Sequence, residues 1–133
     1  MAQMSNVEIA RAYLRSIETG ENEEFLARFV SPEIEHTEYP NRLNTRGRVS
    51  DLAAMRAAAE RGSKVISRQS YEIRNIVETG DRLALEVDWT GILAIPFETI
   101  PVGGTMRAHF AMFLDFKDGK IVRQRNYDCF EPW

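Results

Sequence analysis

The chain is 133 residues long, 44% hydrophobic and 28% charged, with a formal net charge of −3. That length supports one domain, residues 1–133, with a single core. The acidic balance excludes the basic face a nucleic-acid partner needs, and no apolar run approaches the length of a membrane span. Met1-Ala2-Gln3-Met4-Ser5 lacks a basic region followed by an apolar core, and the single Cys129 excludes an internal disulfide. A cytoplasmic chain is therefore expected.

Ser5 with Glu8 three residues on is a capping-box signature, and Val7, Ala10, Tyr13, Leu14 and Ile17 mark one helical face before Gly20 ends it. A second short helix is predicted from about Asn22, with Phe25, Leu26, Phe29 and Val30 inward, until Ser31-Pro32 stops it. Residues 33–39 alternate weakly and read as a short strand ending at Pro40. Gly47 and Ser50 introduce an alanine-rich helix over 51–61, which Gly62 is expected to close.

From Lys64 the pattern changes. Val65, Tyr71, Ile73, Ile76 and Val77 suggest a long strand that turns at Thr79-Gly80-Asp81. Leu83, Leu85, Val87 and Trp89 then alternate with Ala84, Glu86, Asp88 and Thr90 in a clear period of two. Residues 95–102, with two prolines, read as a loop. A closing hairpin runs from Ala108 to Phe130 around Lys117-Asp118-Gly119-Lys120. Helices first and strands last indicate an α+β fold, with three N-terminal helices packed on one face of a bent antiparallel sheet.

The hairpin carries the functional signal. Its first strand is almost wholly apolar, whereas its second is polar until near its end, with Gln124, Asn126 and Asp128 on one side of the pleat. Two explanations stand: a curved sheet lining a polar-floored pocket, or a solvated edge strand. Metal chemistry is poorly supplied, since His36 and His109 are the only histidines and no cysteine pair exists. Gly103-Gly104 reads as a turn or bulge rather than a phosphate cradle, and no Gly-x-Ser-x-Gly elbow is present. No metal or cofactor is expected. Acid–base chemistry or binding is what remains.

The chain resembles the nuclear transport factor 2-like superfamily, and within it the SnoaL-like branch that includes polyketide cyclases. The resemblance rests on the element order and on residues 13–20 (YLRSIETG), 36–40 (HTEYP), 88–91 (DWTG) and 118–121 (DGKI) leading to Asn126-Tyr127-Asp128. It implies one cone-shaped pocket that serves isomerases, cyclases, hydrolases and non-enzymatic binders alike. It also implies site positions. Tyr13 falls where ketosteroid isomerases carry an oxyanion-donating tyrosine, while His36 and Glu38 fall where limonene-epoxide hydrolase-like members place a polar pair. Asn126 sits near those hydrolases' catalytic aspartate, and Asp128 matches the pocket aspartate of SnoaL-like cyclases. Met112 departs from the pattern, standing where the isomerases have a carboxylic acid.

The expected catalytic residues are Asp128, as general acid or base, and His36, as its partner if the two meet across the pocket. Desolvation near Phe110, Met112 and Trp133 would raise the Asp128 pKa. Tyr13, Glu38, Trp89, Phe110, Met112 and Asn126 are the expected substrate-binding residues. Each has a structural alternative: Tyr13, Trp89 and His36 as core, Glu38 as a salt-bridge partner, Asp128 as an exposed or arginine-paired strand end. Arg107, His109, Phe113 and Tyr127 belong to the opposite sheet face, where the resemblance implies a homodimer contact, and Cys129 is expected to be a small buried filler. The predicted function is acid–base chemistry on a small hydrophobic carbonyl, hydroxyl or epoxide compound. The alternative is a non-catalytic dimeric binding domain.

Overall fold

The computed structural model describes residues 4–20 and 24–133. Helix α1 spans Asn6–Thr19. Ser5 caps it by accepting from the Glu8 N–H at 3.1 Å, and Gly20 ends it at φ 69°, a left-handed conformation that glycine adopts without a Cβ clash. Helix α2 covers Glu24–Phe29, so the predicted start near Asn22 lies outside the described residues. Strand β1, Val30–Glu38, follows at once and contains Ser31-Pro32. Proline has no N–H to give the ladder, and the pairing of β1 breaks register between Val30 and Glu35.

A short strand β2, Arg48–Ser50, was not anticipated. Helix α3, Leu52–Val65, is capped by Asp51, whose Oδ1 accepts from Ala54 N at 2.9 Å. It runs through Gly62 instead of ending there and passes directly into strand β3, Ile66–Thr79. Strands β4 (Arg82–Leu93), β5 (Thr105–Lys117) and β6 (Lys120–Phe130) complete one six-stranded sheet in the order β2-β1-β6-β5-β4-β3. The expectation of a wholly antiparallel sheet needs one correction, because β1 pairs with β6 in parallel. A chain that leaves β1 through β2 and α3 and returns by four successive antiparallel strands, β3 to β6, brings β6 back alongside β1 in the same direction.

The pairing register lays out the concave face in rows. Ser50, His36, Gln124, Leu114 and Leu83 form one row, and Glu38, Asn126, Met112 and Leu85 the next. Asp128, Phe110, Val87 and Ile73 follow, then Phe130, Ala108, Trp89 and Tyr71. Toward β4 and β5 these rows are apolar and buried, with Leu83, Leu85, Val87 and Leu114 at most 2% exposed. Burial on that scale contributes about 1.5–3 kcal/mol per large side chain. Toward β1 and β6 the same rows turn polar, so one continuous pleated surface supplies both core and site.

Candidate functional site

The polar half of the concave face starts from a buried hydrogen-bond chain. The hydroxyl of Tyr13, on the inward side of α1, donates to Gln124 Oε1 at 3.0 Å, and Gln124 Nε2 donates to Asn126 Oδ1 at 3.0 Å. Tyr13 is 3% and Gln124 2% exposed. Burying an amide and a phenol is tolerable only because each satisfies the other. Burial, opposed by the Gln124 bond, pushes the Tyr13 phenol well above its usual range, so it stays protonated.

A cavity of about 480 Å³ opens between α1, α3 and the two sheet edges. Tyr13, His36, Glu38 and Tyr71 line it, and the small residues Ala58, Ala59 and Gly62 of α3 leave its volume free. Glu38 is held in place by Asn41, whose Nδ2 donates to Oε2 at 2.7 Å, and by Arg48 at 3.8 Å. The pKa of His36 is lowered by burial, which outweighs the upward pull of the Glu38 charge. The ring is therefore an uncharged acceptor or donor at neutral pH.

Asp128 is the most perturbed carboxyl. Desolvation first, and the negative charge of Glu38 second, raise its pKa from the usual 3.8 to about 7. Its Oδ1 is buried with no hydrogen-bond partner among the described residues. Neither arginine of its own strand claims it: Arg125 lies 3.4 Å from Asp115 instead. The structure also does not join Asp128 to His36. The parallel register sets His36 beside Gln124, four residues from Asp128, or about 13 Å along the strand. Glu38 lies between them, so the carboxyl neighbour that Asp128 feels is Glu38 and not the histidine. Asp128 and Asn126 stand just off the cavity lining, with Asp128 in electrostatic reach of Glu38 and Tyr71, both of which line it.

Trp89, Phe110 and Met112 are packed in the core behind the site and do not line the cavity. Trp89 has a positioning task. Its indole stacks on Phe110 at 5.7 Å, donates Nε1–H to Gln69 Oε1 at 2.9 Å, and lies over Gly91. A Cβ on Gly91 would sit 2.5 Å from the ring, which explains the glycine two residues after the tryptophan. Gln69 in turn lines the cavity.

Tyr71 and Glu18 are among the cavity-wall residues that the sequence reading did not single out. Tyr71 counted only as an apolar strand marker, although its period-two partnership with Ile73 put its hydroxyl on the inward face. Glu18 bonds through Oε2 to the Tyr71 backbone N–H at 2.7 Å, capping the free edge of β3 and fixing Tyr71 against α1.

The opposite sheet face carries the residues expected there. His109 sits between Asp88, at 2.8 Å from Nδ1, and Glu131, at 3.0 Å from Nε2. Phe113 and Tyr127 are 37% and 43% exposed. Cys129 is exposed on this face too, which corrects its reading as a buried filler. It pairs with His109 and so shares the outward parity. Among the described residues no cluster of three or more His, Cys, Asp and Glu could hold a metal ion, and no helix is long and apolar enough to cross a membrane.

Comparison with known proteins agrees with this fold. A family model for the SnoaL-like domain matches residues 10–124. A search of curated proteins finds no match. Among solved structures, AclR from Streptomyces galilaeus, described as a candidate hydroxylase, superposes with a TM-score of 0.77 at 21% identity, covering 96% of this chain and 80% of its own. IdmH from Streptomyces antibioticus, a candidate polyketide cyclase, gives 0.79 at 17% identity, with 94% and 92% covered. A SnoaL-like polyketide cyclase from Agrobacterium tumefaciens gives 0.72 at 24% identity, with 95% and 92% covered. At these identities the likeness is one of fold.

Proposed function

The chain belongs to the SnoaL-like family of the nuclear transport factor 2-like fold, and we propose that it is an acid–base enzyme acting on a small hydrophobic molecule with a carbonyl, hydroxyl or epoxide group. The observation that carries this reading is Asp128: a carboxyl whose pKa is raised to about 7, with a buried oxygen that has no hydrogen-bond partner among the described residues. A carboxyl that titrates near neutrality can take a proton and return it in the same cycle. Asp128 removes a proton from the carbon next to a carbonyl, becoming a neutral acid, and the substrate becomes an enolate. The proton then returns to a different carbon, or the enolate carbon bonds to a second carbonyl whose oxygen takes the proton from Asp128.

Glu38 has a separate role in this scheme. Its charge, anchored by Arg48 and Asn41, destabilises the Asp128 carboxylate and so keeps that group poised. His36, uncharged and on the cavity wall, serves a second polar group of the ligand. A binding-only domain is the rival reading, favoured by the amide at Asn126 and the thioether at Met112 where catalytic relatives of this fold carry carboxylates. In either case a second copy covers the outer sheet face, where Phe113 and Tyr127 are exposed beside Arg125.

Proton abstraction can be tested without knowing the natural substrate. Enolisable aryl ketones such as 2-tetralone are incubated with the protein in D₂O, and α-deuteration is followed by NMR. Exchange faster than in buffer, lost in Asp128→Asn, is the expected result. No acceleration across the ketone panel leaves the binding-only reading.

A further inference from the structure

The cavity holds two phenols, and the structure uses them differently. Tyr13 already spends its proton on Gln124. Tyr71 lines the same cavity from β3, and no acceptor takes its O–H proton among the described residues. Its ring is 6.2 Å from that of Phe110, the residue directly opposite Asp128 in the β5–β6 pairing. Its backbone is fixed by Glu18 at 2.7 Å, and its cross-strand neighbour Trp89 is seated over Gly91 and bonded to Gln69. A free, pre-positioned donor beside an unpartnered carboxyl is the pairing that enolate chemistry requires.

We propose that Tyr71, and not Tyr13, is the catalytic hydroxyl that donates to the substrate's carbonyl oxygen while Asp128 handles the proton on the adjacent carbon. This assignment rests on the acid–base reading above and names its missing donor. Charge balances without a co-reactant. As Asp128 gains the proton, the electron pair of the broken C–H bond moves to the substrate oxygen, where the Tyr71 O–H meets it. Burial and the neighbouring acidic groups Tyr13, Asp128 and Glu18, only partly offset by the Trp89 N–H, keep this phenol protonated. It therefore remains a donor at every pH at which the enzyme would work. The hydrogen bond strengthens as the oxygen becomes an enolate, which is the differential binding that lowers a barrier.

The test pairs one protein hydroxyl with one probe oxygen. 2-Naphthol, an enol mimic, and naphthalene, its oxygen-free counterpart, are titrated into the wild-type protein and Tyr71→Phe at pH 8.5, with probe fluorescence as the readout. Loss of a hydrogen bond to a polarised oxygen is expected to weaken 2-naphthol binding by about tenfold or more, with naphthalene affinity unchanged within about twofold. Equal losses for both probes, or for neither, overturn the assignment of Tyr71 and leave the cavity reading standing. Failure of the wild-type protein to bind either probe overturns the cavity reading itself. Should Tyr71→Phe not fold, wild-type protein labelled with 3-fluorotyrosine gives the answer. One of its four ¹⁹F signals is expected to move with 2-naphthol and not with naphthalene, and no such difference in any signal overturns the proposal.

Discussion

Replacing Asp128 with asparagine is expected to stabilise the protein at alkaline pH while removing its chemistry. A carboxyl whose folded pKa lies above its unfolded value binds its proton more tightly in the native state. Its contribution is therefore fully present below the unfolded pKa of 3.8, and is lost as pH rises through about 7. At about 1.4 kcal/mol per pH unit, that displacement makes the ionised form cost the fold on the order of 4 kcal/mol above pH 8. Partial exposure of Asp128 reduces the measurable share to about 2–3 kcal/mol. Asparagine keeps the shape and cannot ionise, so urea unfolding of Asp128→Asn at pH 8.5 should show that gain, with a Tm rise of about 10 °C. At pH 5 the two proteins should agree within about 1 kcal/mol. His36 and His109 also titrate in this range, His36 adding stability as pH rises and His109 removing it, but both are common to the two proteins and cancel in the difference. Parallel stability profiles from pH 5 to 8.5 would refute the reasoning, since they would mean that Asp128 ionises in the fold as freely as in the unfolded chain.

Three further outcomes follow from the same contacts. Glu38→Gln removes the charge that helps raise Asp128, so the fall in stability that starts at the unfolded pKa should be smaller and complete at a lower pH, read from the same unfolding series. Tyr13→Phe leaves Gln124 Oε1 without its donor in a buried site and should cost about 1–3 kcal/mol in urea unfolding; an unchanged midpoint would mean that water reaches Gln124. Gly91→Ala drives a methyl into the Trp89 ring and should cost about 1–3 kcal/mol, with a change in tryptophan fluorescence as the indole leaves Phe110 and Gln69.

What the sequence made legible was local or periodic. Ser5, Glu8 and Gly20 bounded the first helix because capping chemistry acts within four residues. The alternation of Leu83, Leu85, Val87 and Trp89 marked β4, and the run from Gln124 to Asp128 put three polar side chains on one side of β6, but alternation leaves open which side faces the helices, and the packing sets it. What escaped depends on partners distant in the chain. Strand β2 is three residues long and exists through its pairing with β1. Gly62 should have ended α3, but the helix continues into β3 with Gly62 on the cavity wall, where its missing side chain leaves volume. The parallel register of β1 on β6 decided that Asp128 meets Glu38 before His36, and no local pattern encodes a register. Tyr71 was hidden by its own chemistry, since a phenol in an alternating strand scores as apolar whether or not its hydroxyl is used.

The central claim is that Asp128 titrates near neutral pH, and its carboxyl can be observed directly. In protein labelled with ¹³C-aspartate, the Asp128 side-chain carbonyl, assigned by its absence from Asp128→Asn, is followed by NMR from pH 3 to 9. An apparent pKa of about 7 is the expected result, falling in Glu38→Gln. Titration near 4, the range of a solvated carboxylate, would contradict the account and leave the cavity without its acid.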